Sequence, residues 1–68
     1  MKYLVVIEKG PSSFGAYVPD LPGCVATGAT RPDVERLIRE AIALHLDAMR
    51  QTGAAIPNST AGVELVEI

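Results

Sequence analysis

Hydrophobic residues crowd the start of this chain without regard to side. In "KYLVVIE", Lys2 to Glu8, Tyr3, Val5 and Ile7 fall on one alternate set and Leu4 and Val6 on the other. The run is short, β-branched and bounded by turn residues, so it predicts a strand. Gly10-Pro11-Ser12-Ser13 supplies turn material, and "FGAYV", Phe14 to Val18, reads as a second strand that closes a hairpin. After "PDLPG", the stretch "CVATG", Cys24 to Gly28, predicts a third and weaker strand.

The apolar period then lengthens from two to about 3.6, which predicts a helix of about twenty residues and roughly 30 Å. Thr30 stands at the N-cap, with Asp33 where a capping box places its acid. Pro32 falls in the first turn, where a missing N–H costs nothing. Gly53 is the natural stop, and Arg50 sits favourably against the dipole. Val34, Leu37, Ile38, Ala41, Leu44, His45, Ala48 and Met49 share one face, with Ile42 and Leu46 at its flank. Arg36, Arg39, Glu40, Asp47, Arg50 and Gln51 lie opposite, so the helix is amphipathic and packs on a sheet. "GAAIPNSTAG" then reads as a loop and "VELVEI", Val63 to Ile68, as a last strand.

The expected order is β-β-β-α-β in one α+β domain over residues 1–68, a two-layer sandwich with one helix on a four-stranded mixed sheet. A right-handed crossover lets strand four land beside strand one or strand three. A single helix covers only one side of that sheet, yet strands one and four carry apolar residues on both sides. Leu4, Val6, Val66 and Ile68 therefore form an expected oligomer face, the chain pairing as a dimer or tetramer. Each Val or Leu buried there contributes about 1.5–3 kcal/mol.

Composition sharpens this expectation. With 49% hydrophobic and 21% charged residues the chain is foldable. At 68 residues it is small enough to need a staple. One cysteine and one histidine supply neither a disulfide nor a structural zinc site, so no metal or cofactor is expected and self-association is left. A net charge of −2 opposes non-specific nucleic-acid binding and suits a basic protein partner. The five-residue run "YLVVI" is too short for a leader or a membrane span, and the lone thiol fits a reducing, cytoplasmic setting.

Chemistry is sparse. His45 on the apolar arc has no second ligand at metal spacing and reads as a neutral core histidine. Cys24 has no local activator and reads as packing. The carboxylates are dispersed, and Glu8 with Asp20 is the one pair that a vestigial nuclease could use. The corner "VPDLPGC" is more specified. Pro19 ends strand two, Asp20 suits an Asx-turn, and Pro22-Gly23 fits the centre of a type II turn. The result is a stiff corner that holds Leu21 and Cys24 in place and is cheap to bind because it is already ordered.

These residues carry a resemblance. "MKYLVVIEKG … FGAYVPDLPGCVATGAT … VERLIREAIALHLDAM" resembles the HicB-like antitoxin family, from Met1 to about Ile56 and most densely over Tyr17 to Gly28. The resemblance implies a truncated ribonuclease-H-like sandwich without working nuclease acids, of strand order 3-2-1-4. It also implies self-association and a partner: HicA, a small toxin that cleaves mRNA, neutralised when the antitoxin covers its active surface. Tyr17, Pro19, Asp20, Leu21, Pro22, Gly23 and Cys24 are the signature through which a partner would be met. Arg31 and Pro32 stand where an acidic first turn is expected. No basic recognition helix is seen, so autorepression is not assigned. The leading expectation is thus a non-catalytic antitoxin-type module. The alternative is an oligomeric nucleic-acid-binding or orphan regulatory module with no toxin.

Overall fold

The structure, a computed structural model, describes residues 1–68. Three short antiparallel strands, β1 (Val6–Lys9), β2 (Phe14–Tyr17) and β3 (Val25–Gly28), form one sheet in the order β1-β2-β3. One helix, α1 (Arg31–Thr52), lies across β2 and β3 and leaves β1 beyond it. The hairpin closes where the Gly10 N–H donates to the Ser13 carbonyl at 2.8 Å. Val6 pairs with Tyr17 and Tyr17 with Val25; Ile7 pairs with Ala16 and Ala16 with Ala26.

The four-stranded mixed sheet of order 3-2-1-4 is not formed. The sheet has three strands, and Val63–Ile68 is neither helix nor strand and is exposed throughout. A strand exists by its ladder, and this segment makes no hydrogen bond in the chain. β1 is also shorter than the expected Lys2–Glu8. Pairing begins only at Val6 because its partner ends at Tyr17, where Val18 and Pro19 turn away.

The helix begins and ends as its caps dictate. Thr30 Oγ1 accepts from the Asp33 N–H at 3.3 Å, and Gly53 adopts a left-handed φ of 74° while its N–H donates to the Arg50 carbonyl. Its buried line differs from the single expected face: Leu46 is buried and Leu44 is 72% exposed. A helix of 22 residues is about 33 Å long, far longer than four-residue strands. Its first half packs on the sheet through Val34 and Ile38. Further along the helix Leu46 joins the same core, and Ile42 and Met49 pack against it, as Tyr3 and Ile56 do.

The core is Ala16, Val18, Leu21, Cys24, Val34, Ile38 and Leu46. Gly28 lets the layers meet. A Cβ there would stand 2.8 Å from the Val34 backbone nitrogen, so β3 and the first turn of α1 touch backbone to backbone.

Candidate partner-binding surface

Two consecutive turns build the corner between β2 and β3. The Leu21 N–H donates to the Val18 carbonyl at 3.1 Å, with Pro19 as the pre-set second residue of that turn. The Cys24 N–H then donates to the Leu21 carbonyl at 3.0 Å around Pro22 and Gly23, whose φ of 84° is the left-handed value a type II turn demands. The Val18 N–H closes the loop on the Cys24 carbonyl at 3.1 Å. Leu21 and Cys24 point inward and are buried, whereas Tyr17, Pro19, Pro22 and Gly23 are exposed.

Asp20 does something its neighbours do not announce. Its carboxylate accepts from the Thr60 N–H at 3.0 Å, the Thr60 hydroxyl at 2.9 Å and the Ala61 N–H at 3.1 Å. It clips a segment forty residues away instead of capping its own turn. The Ala61 N–H does most to hold the carboxyl below the ordinary aspartate range; desolvation opposes it, and the Thr60 hydroxyl and N–H add to the lowering. Close by in sequence, the Tyr3 hydroxyl donates to the Pro57 carbonyl at 2.6 Å. Thr60, Ala61 and Pro57 carry no local signal that sequence reasoning could use.

The register brings Val6, Tyr17 and Val25 into one cross-strand row on the face away from the helix. Tyr17 is 42% and Val25 64% exposed, and the core packs on Tyr3, Val5 and Ile7 but not on Val6. Leu4 has the same parity as Val6 and is half-buried. The row joins Val6, from the expected oligomer face, to Tyr17, from the expected partner-binding signature, and adds Val25, which the pairing alone reveals. Val66 and Ile68 stand apart from it on the exposed segment.

Groups with chemical potential are scattered. Glu8 lies toward the hairpin end of β1, while Asp20 is at the opposite end with both oxygens engaged. No three of the His, Cys, Asp and Glu side chains converge. Cys24 is buried, and desolvation pushes its thiol above the usual value. His45 is half-buried on α1. On the helix, Arg31 pairs with Glu35 at 3.1 Å and Arg36 with Glu40 at 3.5 Å, which breaks up a cationic stripe. An open groove on α1 is lined by Arg39, Ile42, Ala43, Leu46, Asp47 and Arg50 among others and holds no nucleophile. No helix is long and apolar enough to cross a membrane.

Comparison with known proteins places this architecture. The family described as HicB-like antitoxin of bacterial toxin–antitoxin systems matches residues 3–67. A Thermoplasma acidophilum UPF0150 protein is 34% identical over 62 residues, which are 90% of each chain. An uncharacterised 14.9 kDa protein of Haemophilus phage HP1 is 34% identical over 59 residues, 87% of this chain but only 44% of its own length. A Helicobacter pylori UPF0150 protein is 46% identical over 41 residues, 60% of this chain and 57% of that one. The chain thus spans about half the length of two of these relatives. Among solved structures, a chain of a HicA3 and HicB3 toxin–antitoxin complex superposes with a TM-score of 0.74 at 32% identity, over 88% of this chain and 70% of that one.

Proposed function

Because this chain belongs to the HicB-like antitoxin family of bacterial toxin–antitoxin systems, we propose that it is a non-catalytic module that binds and neutralises a HicA-like, mRNA-cleaving toxin in the cytoplasm. One observation carries this reading: the likeness in fold and sequence to a chain of a complex of toxin with antitoxin. The architecture supports it in two further ways. The β2–β3 corner is ordered by its own three hydrogen bonds before any partner arrives, so little entropy is lost on docking. Tyr17 stands beside it half-exposed, and tyrosine is among the residues that most often anchor interfaces.

Within the signature the roles divide. Tyr17, Pro19, Pro22 and Gly23 meet the toxin; Leu21 and Cys24 fix their positions from behind; Asp20 ties the corner to Thr60 and Ala61. Self-association uses Leu4 and Val6 on the open sheet face together with Val66 and Ile68. The net charge of −2 favours a basic partner, and no cofactor takes part.

Co-expression with a neighbouring small basic reading frame tests the proposal. The tagged chain should retain that protein and restore growth arrested by it. Tyr17→Ala should weaken capture about tenfold or more without altering the helical circular-dichroism signal. Absence of both capture and rescue would refute the proposal.

A further inference from the structure

We propose that the open face of the sheet carries a trough for one arginine side chain of the partner, floored by Gly15 and lined by Glu8, Tyr17 and Thr27. The proposal rests on the toxin reading above and deepens it: the arginine is one that the toxin would otherwise turn toward RNA.

The glycine raises the question. In a strand interior glycine weakens pairing, and it marks a bulge, a left-handed backbone or a close approach by another molecule or chain. Glu8, Gly15 and Thr27 pair in unbroken register across the three strands, so there is no bulge. Positive φ occurs only at Gly23 and Gly53, so Gly15 needs no left-handed backbone. A Cβ at Gly15 would meet nothing within 4 Å, so no neighbour in its own chain requires the space. Approach from outside is the use that is left.

The space opens on the face away from the helix. Ala16 beside it is buried, whereas Gly15 has the parity of Tyr17. Glu8 and Thr27 flank the glycine, about 10 Å apart across two strand spacings. Tyr17 stands one row along, diagonal to both, and such neighbours lie about 7–8 Å apart, within reach of an aromatic ring. The result is a short trough with a bare backbone floor.

Its chemistry selects a guanidinium. Glu8 is the one carboxylate carried by a strand, and it has no ion-pair partner in the chain. Lys9 beside it falls on the opposite face. Asp20, Glu35 and Glu40, by contrast, are engaged by their own chain. The hydroxyls of Tyr17 and Thr27 make no hydrogen bond within the chain. A planar cation laid over Gly15 donates to the Glu8 carboxylate and the Thr27 hydroxyl while its face stacks on the Tyr17 ring. Arginine has that flat fork and lysine does not. An apolar occupant would leave the carboxylate desolvated and unpaired. A protein that cleaves mRNA holds the phosphate backbone with cationic side chains. A carboxylate seated on one of them stands in for a phosphate, so Glu8 competes directly with RNA.

Two titrations on the full chain test the proposal. In the first, an arginine tripeptide with blocked ends is added and backbone amide shifts are followed by NMR. Saturable shifts should centre on Glu8, Gly15, Tyr17 and Thr27, and a lysine tripeptide should bind severalfold more weakly. In the second, affinity for the co-expressed toxin is measured for Glu8→Gln and Gly15→Thr. Gly15→Thr fills the trough with a residue that strands favour, so its melting temperature should hold or rise while binding weakens about tenfold or more. Glu8→Gln should weaken binding to a similar extent and flatten its dependence on salt. The double variant should lose little more than either alone, because both remove one contact. The proposal is overturned if the peptide shifts are absent or lie elsewhere, or if either variant binds toxin as tightly as the parent. A lowered melting temperature of Gly15→Thr overturns it too, since the floor would then not be open. The two readings separate: peptide binding in the trough without toxin capture by the parent sinks the antitoxin reading alone, and toxin capture indifferent to both substitutions sinks the trough alone.

Discussion

Gly28→Ala is the substitution most sharply determined by the packing. The glycine has no left-handed backbone to protect, since only Gly23 and Gly53 have positive φ, so alanine brings no backbone strain. Its whole effect is steric. The new Cβ would stand 2.8 Å from the Val34 nitrogen, 3.1 Å from the Val34 Cα and 3.2 Å from the Asp33 carbonyl carbon, all backbone atoms. Ordinary contact requires about 3.4 Å or more, so the first turn of α1 must retreat by roughly half an ångström or more. That displacement moves Val34, which is fully buried, and strains the Thr30 cap. Overpacking of this kind costs about 1–3 kcal/mol. Gly15 in β2 is the control: a Cβ there meets nothing within 4 Å, so Gly15→Ala should be neutral or stabilising by about 0.4–1 kcal/mol. In a domain this small each kcal/mol shifts the melting temperature by about 4–8 °C. Thermal melts of the two variants should therefore move in opposite directions or differ by about 5 °C or more. Equal melting temperatures would refute the backbone contact between β3 and α1.

Two further outcomes follow from the clip and the core. The Asp20 carboxyl titrates below its ordinary value of 3.8, so its tether is complete above the unfolded range and is lost as pH falls through the folded value; exchange of the Thr60 and Ala61 amides, corrected for intrinsic rates, should accelerate only in strong acid, and Asp20→Asn should accelerate it at neutral pH. Cys24 is buried with its thiol pushed upward by desolvation, so it should react with an aromatic disulfide reagent far more slowly than the denatured chain at pH 8, and labelling at the unfolded rate would contradict its placement.

What could be read in the sequence was local. The Gly10–Ser13 turn, the Pro22-Gly23 pair, the Thr30 cap and the Gly53 stop each depend on two to four adjacent residues, and each stands where its chemistry put it. Features that depend on distant partners were not legible. Asp20 was expected to bond its own turn, but two amides and a hydroxyl forty residues on compete for the same oxygens and win with three bonds. Leu44 and Leu46 exchanged places because a wheel assigns one face to the entire helix, whereas 22 helical residues outreach strands of four. Val63–Ile68 has the composition of a strand, and composition does not supply the edge that makes one. The surplus of apolar β-surface on both sides was legible from the start, and the structure places part of it in the row of Val6, Tyr17 and Val25.

The corner itself shows why a motif and an interface are different things. Of the seven residues from Val18 to Cys24, the three buried ones, Val18, Leu21 and Cys24, carry all three corner hydrogen bonds between them. Pro19 and Gly23 serve the turns by their backbone preferences, and Asp20 serves the clip. Packing, turn geometry and tethering thus account for almost every position before any partner is considered. Pro22 shapes its turn as well, but its ring faces solvent, and Tyr17 beside the corner has no such duty at all. That tyrosine is 42% exposed, its hydroxyl makes no hydrogen bond to its own chain, and its register partners Val6 and Val25 share the open face. Substituting the buried residues should therefore remove toxin capture by unfolding the corner, whereas substituting Tyr17 should remove it from a folded protein, and that contrast separates scaffold from contact within the signature.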